Sequence, residues 1–245
     1  MFFEIHRDLP REGPGDNQST RRAFRKLSRL PEDSAILDLG CGPGAQTLEL
    51  AALSGNKIFP IDNHQPYLKQ LYRKAANLGL LDRIHISNQS MHALAFPAAS
   101  FDLIWSEGAI FILGFENGLK SLKKYLKPGG TIVISELTWL KDNPPKEIKT
   151  YWEKEYPPMK TLDENLSTIY DCGFYVIDYF ALPPASWLEE YYEPIEQRLE
   201  TLRGTYAGNP EFEDLAQREK EEATVFKKYN QWYGYVFYIM ELKKD

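Results

Sequence analysis

The chain of 245 residues has only two cysteines, Cys41 and Cys172, at unrelated positions. That supply excludes a disulfide framework and a cysteine zinc site, and it points to a reducing compartment, the cytoplasm. The four histidines, His6, His64, His85 and His92, share no ligand spacing, so no metal is expected. No apolar run reaches the ~18 residues that would span a bilayer. The opening MFFEIHRDLPREGPGD lacks the apolar core that follows the basic start of a signal peptide. Basic charge is in deficit, with 29 Lys and Arg against 35 Asp and Glu, a net charge of -6. A nucleic-acid partner needs a basic face, so one is disfavoured. Arg21, Arg22, Arg25, Lys26 and Arg29 form a single basic cluster. Ala23, Phe24, Leu27 and Leu30 supply an apolar stripe opposite it, so the cluster is expected to be the solvated face of a helix.

What is present is an alternation of short apolar runs with amphipathic stretches, the pattern of an α/β protein with a parallel sheet. The runs predict strands at Ala35–Leu39, Lys57–Asp62, 83–87, 101–105, 131–137, 174–180 and Tyr233–Leu242. A helix is expected over 46–53. Another follows Pro66, which costs nothing at a helix start; Leu68, Leu71, Tyr72, Ala75 and Leu78 form its stripe and Gly79 its stop. Leu119, Leu122 and Leu126 mark a third, ended by the turn at 127–130. Residues 138–158 read as a covering segment, and a helix near 163–172 closes at Gly173. The stretch 182–231 is largely helical and rich in Tyr and Trp. The whole reads as one domain, 1–245: an N-terminal lid over 1–30, a ligand-binding core over 31–140 and a helical cap over 182–231. Pro60 lies in a strand expected to be central, where it removes a ladder bond, so a bulge or an unpaired position is expected there.

The strongest local signal is Asp38-Leu39-Gly40-Cys41-Gly42-Pro43-Gly44, between an apolar strand and a helix. Glycines let backbone approach a ligand closely in dihedrals other residues avoid. The helix N-terminus that follows offers free N–H groups to an anion. Asp62 ends the second strand, 22 residues after Gly40, where a carboxylate can accept hydrogen bonds from both ribose hydroxyls. Gly40, Gly42 and Ala45 also satisfy the relaxed dinucleotide fingerprint, so a nicotinamide enzyme competes. Asp38 tips the balance, because a carboxylate there repels a pyrophosphate but suits a ligand carrying an ammonium group.

Four stretches together resemble the class I S-adenosylmethionine-dependent methyltransferases, in particular the ubiquinone-biosynthesis-like branch, types 11 and 25. They are ILDLGCGPG at 36–44, the acidic strand end at Asp62, FPAASFDLIWSEGA at 96–109 and LKPGG at 126–130. IWSEGAIFILGFE at 104–116 and LPREGPGD at 9–16 are similar to a prokaryotic subgroup whose glycine-rich N-terminal segment folds over the cofactor. The resemblance implies a Rossmann-like, seven-stranded, mostly parallel sheet with an antiparallel last strand, helices on both faces and a helical cap. It implies S-adenosylmethionine as cofactor and S-adenosylhomocysteine as product. It assigns Asp38 and Gly40 to the methionine end, Gly42 and Gly44 to close backbone approach, and Asp62 to the ribose. Arg11 and Gly15 belong to the overlying segment. Where relatives carry an aspartate for the adenine amine, this chain has Ser90. Adenine recognition is therefore expected to lean on the Met91 backbone and on apolar stacking.

A methyl group on a sulfonium is already activated, so the enzyme need only align a nucleophile, exclude water and, where required, take a proton. Trp105, Ser106 and Glu107 follow the fourth strand at the carboxyl edge, where ligands bind in such sheets. Ser106 is a candidate cofactor contact and Glu107 the candidate general base; the alternative is that Glu107 orients its own loop. Cys41 has no histidine placed to activate it as a nucleophile. Trp187, Tyr191, Tyr192, Tyr206, Phe226, Tyr229 and Trp232 either line an apolar or cation-binding cavity or pack the cap. Asn143-Pro144-Pro145 imitates a signature of amino-group methylation, but it follows the fifth strand, lacks the aromatic and reads as a loop. The function expected is methyl transfer to a small-molecule acceptor, with the acceptor atom and oligomeric state open. The alternatives are an RNA- or protein-directed methyltransferase and a non-catalytic S-adenosylmethionine-binding protein.

Overall fold

The computed structural model describes residues 1–28 and 30–243. In chain order the elements are α1 (Phe2–Ile5), α2 (Asn17–Phe24), β1 (Ala35–Leu39), α3 (Ala45–Ser54), β2 (Lys57–Asp62), α4 (Gln65–Asn77), β3 (Ser87–Asn88), β4 (Phe101–Ser106) and α5 (Phe115–Leu122). There follow β5 (Leu126–Trp139), α6 (Lys146–Glu155), β6 (Lys160–Thr161), α7 (Leu162–Asp171), β7 (Phe174–Ala181), α8 (Ala185–Trp187), α9 (Glu193–Tyr206), α10 (Pro210–Tyr229) and β8 (Tyr233–Leu242). The sheet order is β3-β2-β1-β4-β5-β8-β7, with β6 beside β5. β8 runs antiparallel to both of its neighbours, while the β1, β2, β3, β4, β5 and β6 pairings are parallel. This is the Rossmann-like sheet with its antiparallel last strand.

Central strands are apolar on both sides because helices cover both faces. Ile36, Leu103, Val133 and Ile239 face one core, which α3, α4 and the cap complete. Leu37, Ile104, Ile132, Ile134 and Tyr238 face the other, completed by α5 and α7. Capping follows the sequence: Thr161 and Glu164 form a capping box on α7, and Pro66 sits in the first turn of α4.

Two expectations shift, and a third, at Pro60, resolves to the unpaired position. The third strand shortens from 83–87 to Ser87–Asn88, preceded by an isolated bridge from Ile58 to Ile84. β6, only two residues long, adds an eighth strand because β5 runs on to Trp139 and exposes an edge. Pro60 causes no bulge against β1, where the register is continuous. Ile58 directs its N–H and Asp62 its C=O away from β1, to Arg83 and Gln89. Strand alternation turns Pro60 the same way, so its missing donor falls in the gap between the Ile84 bridge and β3.

The basic cluster on and after α2 is more engaged than a solvated face. Arg21 pairs with Glu49, Lys26 with Asp178, and the Arg22 guanidinium lies 3.8 Å from the centre of the Phe180 ring. Arg29 lies outside the described residues. Residues 185–229 form α8, one π-helical stretch at Leu188–Tyr192, α9 and α10. Trp187 stacks on Phe226 at 4.4 Å and on Tyr235 at 5.1 Å. The aromatics Trp187, Tyr191, Tyr192, Phe226 and Tyr229 are buried and pack these helices onto the sheet. Pro145 caps α6 and Asn143 has φ +54°, so Asn143-Pro144-Pro145 is a loop entering a helix.

Candidate active site

The carboxyl ends of β1, β2 and β4 open into one cleft of ≈ 290 Å³. Its floor is Gly40, Cys41 and Gly42, with Asp62 and Asn63 on one side, Gln89 to His92 beyond them, and Glu107 to Ala109 on the other. The N-terminal segment roofs it with Phe2, Phe3 and residues 11–14.

The turn after β1 is held by two N–H groups, of Gly40 and Cys41, which both donate to Ile61 at 3.0 and 2.9 Å. Gly40 has φ +72°, and a Cβ there would stand 2.5 Å from the Ala109 Cβ. Gly44 has φ +90°, and its Cβ would stand 2.3 Å from the Leu71 side chain. Both positions therefore demand glycine. Asp62 is fixed by accepting from the Gly42 N–H at 3.0 Å and the His64 N–H at 2.8 Å.

Of the residues singled out in the sequence, the structure brings Arg11, Gly40, Gly42, Asp62, Ser90, Met91 and Glu107 to one cleft. Ser90 accepts the His92 N–H at 3.3 Å, and the Met91 methyl lies 3.3 Å from where a Gly40 Cβ would be. The other four lie behind the wall. Gly44 faces Leu71. Ser106 is buried and donates to the Leu39 carbonyl at 2.9 Å. Gly15 donates its N–H to Ser186 at 3.3 Å and leaves room for the Arg11 guanidinium.

Asp38 is the largest departure from expectation. It is fully buried and accepts from the Thr47 hydroxyl and, at 3.3 Å, from the Gln46 amide. Gln46, which does line the cleft, also donates to the Cys41 carbonyl at 3.2 Å. Asp38 thus braces the glycine turn through Gln46 instead of facing a ligand. Burial pushes its carboxyl up to about 7, against the pull of Thr47 and Gln46. Burial likewise pushes the Cys41 thiol well above its ordinary value, which leaves no reactive thiolate.

Glu107 is corrected too. One oxygen accepts from the Thr20 hydroxyl at 2.7 Å and the Trp105 indole at 2.8 Å; the other pairs with Arg11 at 2.8 Å. Only 6% of its side chain is exposed, and 7% of Arg11. A carboxylate with three donors in place orients its surroundings: it ties the N-terminal segment to β4, and both of its oxygens are already engaged.

Sequence reading missed the rest of the lid. Tyr67 donates to Glu12, and Phe3 stacks on His64 with centroids 3.8 Å apart. His6 lies 3.4 Å from Glu12 and 3.5 Å from Glu219. Burial opposes charge on His6, but the two carboxylates outweigh it and raise the imidazole to about 9. Only the Phe2-Phe3 pair at the start hinted at an apolar lid. Among the described residues no group of His, Cys, Asp and Glu could hold a metal, and no helix is long and apolar enough to cross a membrane.

Residues 36–130 match a methyltransferase domain family. A sterol 24-C-methyltransferase of Pneumocystis carinii is 25% identical over 156 residues, 60% of this chain and 41% of that protein. The ubiquinone/menaquinone biosynthesis C-methyltransferase of Escherichia coli is 30% identical over 141 residues, 56% of this chain and 52% of that one. The chain thus spans about half the length, or less, of these two curated relatives. A methyltransferase from Thiobacillus denitrificans, solved with S-adenosyl-L-homocysteine, superposes with a TM-score of 0.86 at 18% identity, covering 99% of this chain and 98% of that one.

Proposed function

We propose that the chain is a class I S-adenosylmethionine-dependent methyltransferase, a reading supported by the methyltransferase-domain match over residues 36–130 and by the partial match to the C-methyltransferase, and that it methylates a small-molecule acceptor in the cleft over the glycine turn. One observation carries the reading: Asp62 and the Gly40–Gly42 backbone face a single cleft from adjacent strands. The residues fit the cofactor. Gly40 leaves no room for a side chain, Asp62 offers a carboxylate at ribose position, and the ≈ 290 Å³ volume lies near the lower end of the ~300–1,000 Å³ typical of small-molecule sites. When bound, S-adenosylmethionine supplies a methyl group on a sulfonium for in-line transfer.

The chain's own residues bind, orient and exclude water. Asp62 would accept from the ribose hydroxyls, Gln46 and the glycine turn would meet the methionine end, and Ser90 and Met91 would border the adenine. Arg11, anchored on Glu107, would keep the lid closed. Alignment of this kind can supply on the order of 7–11 kcal/mol of barrier lowering. We place the protein in the cytoplasm on the strength of its two free, buried cysteines. Glu12, Asp62 and Glu107 in the cleft favour a small molecule over an RNA. The test is release of S-adenosylhomocysteine on incubation with S-adenosylmethionine and a metabolite library, against RNA and protein substrates. Turnover with a small molecule is expected; turnover confined to RNA or protein contradicts the proposal.

A further inference from the structure

We propose that the methyl acceptor is an amine, its ammonium group held by the Glu136 carboxylate beside Tyr156 and Tyr235 and its apolar body resting on Phe111 and Ile112. This rests on the reading of the cleft as the S-adenosylmethionine site. Glu136 lies on the part of β5 that runs beyond the end of β4, since Ser106, the last residue of β4, pairs with Ile134. It is buried, yet no Lys, Arg or His among the described residues pairs with it; its partner is the Tyr156 hydroxyl at 2.7 Å. A buried carboxylate without a cation is costly and holds a proton instead, and a cationic ligand would restore its charge. Burial pushes Glu136 up to about 7, the Tyr156 hydrogen bond and a backbone bond only partly offsetting it.

One contact leads from this carboxylate, through Tyr156, to the cleft. Phe111, in the cleft wall, packs edge-on against Tyr156 at 6.3 Å. Gly108, also in the wall, donates its N–H to Ser135, the neighbour of Glu136, at 2.8 Å, and the Tyr235 hydroxyl stands 3.7 Å from where its Cβ would be. Phenol faces attract cations. The mouth is apolar: Phe111 is 47% and Ile112 49% exposed. Arg11 lines the cleft but is spent on Glu107 and Asn17. A carboxylate or phosphate acceptor would therefore find acids and no free guanidinium.

In the step itself the ammonium proton passes to a Glu136 oxygen. The freed nitrogen pair bonds to the methyl carbon, and the carbon–sulfur pair leaves with sulfur to give S-adenosylhomocysteine. A carboxyl poised near neutrality suits that exchange.

The experiment titrates phenethylamine, phenethyl alcohol and phenylacetate into protein saturated with S-adenosylhomocysteine, by calorimetry at pH 7. The amine is expected to bind about tenfold or more tighter than the other two. In Glu136→Gln that preference disappears, while S-adenosylhomocysteine affinity stays within about twofold. Tyr156→Phe, a second variant in case the first fails to fold, weakens the amine about threefold or more, because the carboxylate loses a bond to its charged form. The proposal is overturned by equal or tighter binding of phenylacetate or the alcohol, by binding of none of the three, or by an amine affinity unchanged in a folded variant. Failure of the wild type to bind S-adenosylhomocysteine overturns the cofactor reading first, and this one with it.

Discussion

On the β1–β2 bank of the cleft the polar contacts that set the glycine turn and Asp62 join residues close in the chain. Gln46 reaches Asp38 over 8 positions, Gly42 reaches Asp62 over 20, and His64 reaches Asp62 over two. On the lid and cap bank, Arg11 meets Glu107 across 96 positions, Ser186 meets Asp16 across 170 and His6 meets Glu219 across 213. The first bank is a strand–turn–helix unit whose geometry is dictated by its own glycines. The second exists only after the whole chain has folded, and its strength lies in buried charge pairs. Damage to the first bank should therefore act on the ligand and the fold together, and damage to the second mainly through unpaired buried charge.

The largest effect expected is on the lid. Glu107→Ala strands the Arg11 cation, 7% exposed, and should destabilise the protein by about 3–5 kcal/mol. Arg11→Ala leaves Glu107 with its Thr20 and Trp105 donors and should cost less. The double variant should cost less than the sum of the singles by about 1 kcal/mol or more, as denaturant melts of the four proteins would show. Additive costs would mean that the pair is not what holds the lid.

Next is the glycine turn. Gly44→Ala forces a side chain into φ +90° and against Leu71, at an expected cost of about 2–4 kcal/mol. Although residue 44 lies outside the cleft wall, affinity for S-adenosylhomocysteine should fall about 100-fold, because the turn and the N-terminus of α3 move together. A variant with wild-type melting and binding would show the turn to be tolerant.

The smallest effect is the pH response of the lid. His6 is raised to about 9 in the folded protein from an ordinary 6.5. Its charge thus contributes stability that is fully present below pH 6.5 and is lost as pH rises through 9. The loss is at most about 3 kcal/mol. Thermal unfolding of the wild type should weaken across that window, while His6→Gln should be flatter; parallel curves would contradict the pairing with Glu12 and Glu219.

The same division explains what the sequence made legible. The strands, the glycine turn and Asp62 follow from apolar runs and local spacing, and Arg11, Ser90, Met91 and Glu107 reach the cleft because they sit near the carboxyl edge or in the lid. Asp38 was misread because a carboxylate beside glycines looks the same in sequence whether it points to a ligand or to Thr47 behind the turn. Glu107 was misread because its three donors come from Arg11, Thr20 and Trp105, and two of these lie on the distant lid. Glu136 carried a signal that went unused: a carboxylate within the apolar run of β5, which burial makes costly unless it serves a purpose. Tyr67 and Glu12 carried none, since their meeting depends on where the lid comes to rest.

The central claim is that the cleft floored by Gly40 and Gly42 and flanked by Asp62 holds S-adenosylmethionine. Titration calorimetry of S-adenosylhomocysteine against wild type and Asp62→Asn tests it most directly. One site per chain is predicted, with affinity lower by about tenfold or more in the variant through loss of charged hydrogen bonds. Folded wild-type protein that takes up no ligand, or a variant that binds as tightly as the wild type, would contradict the account.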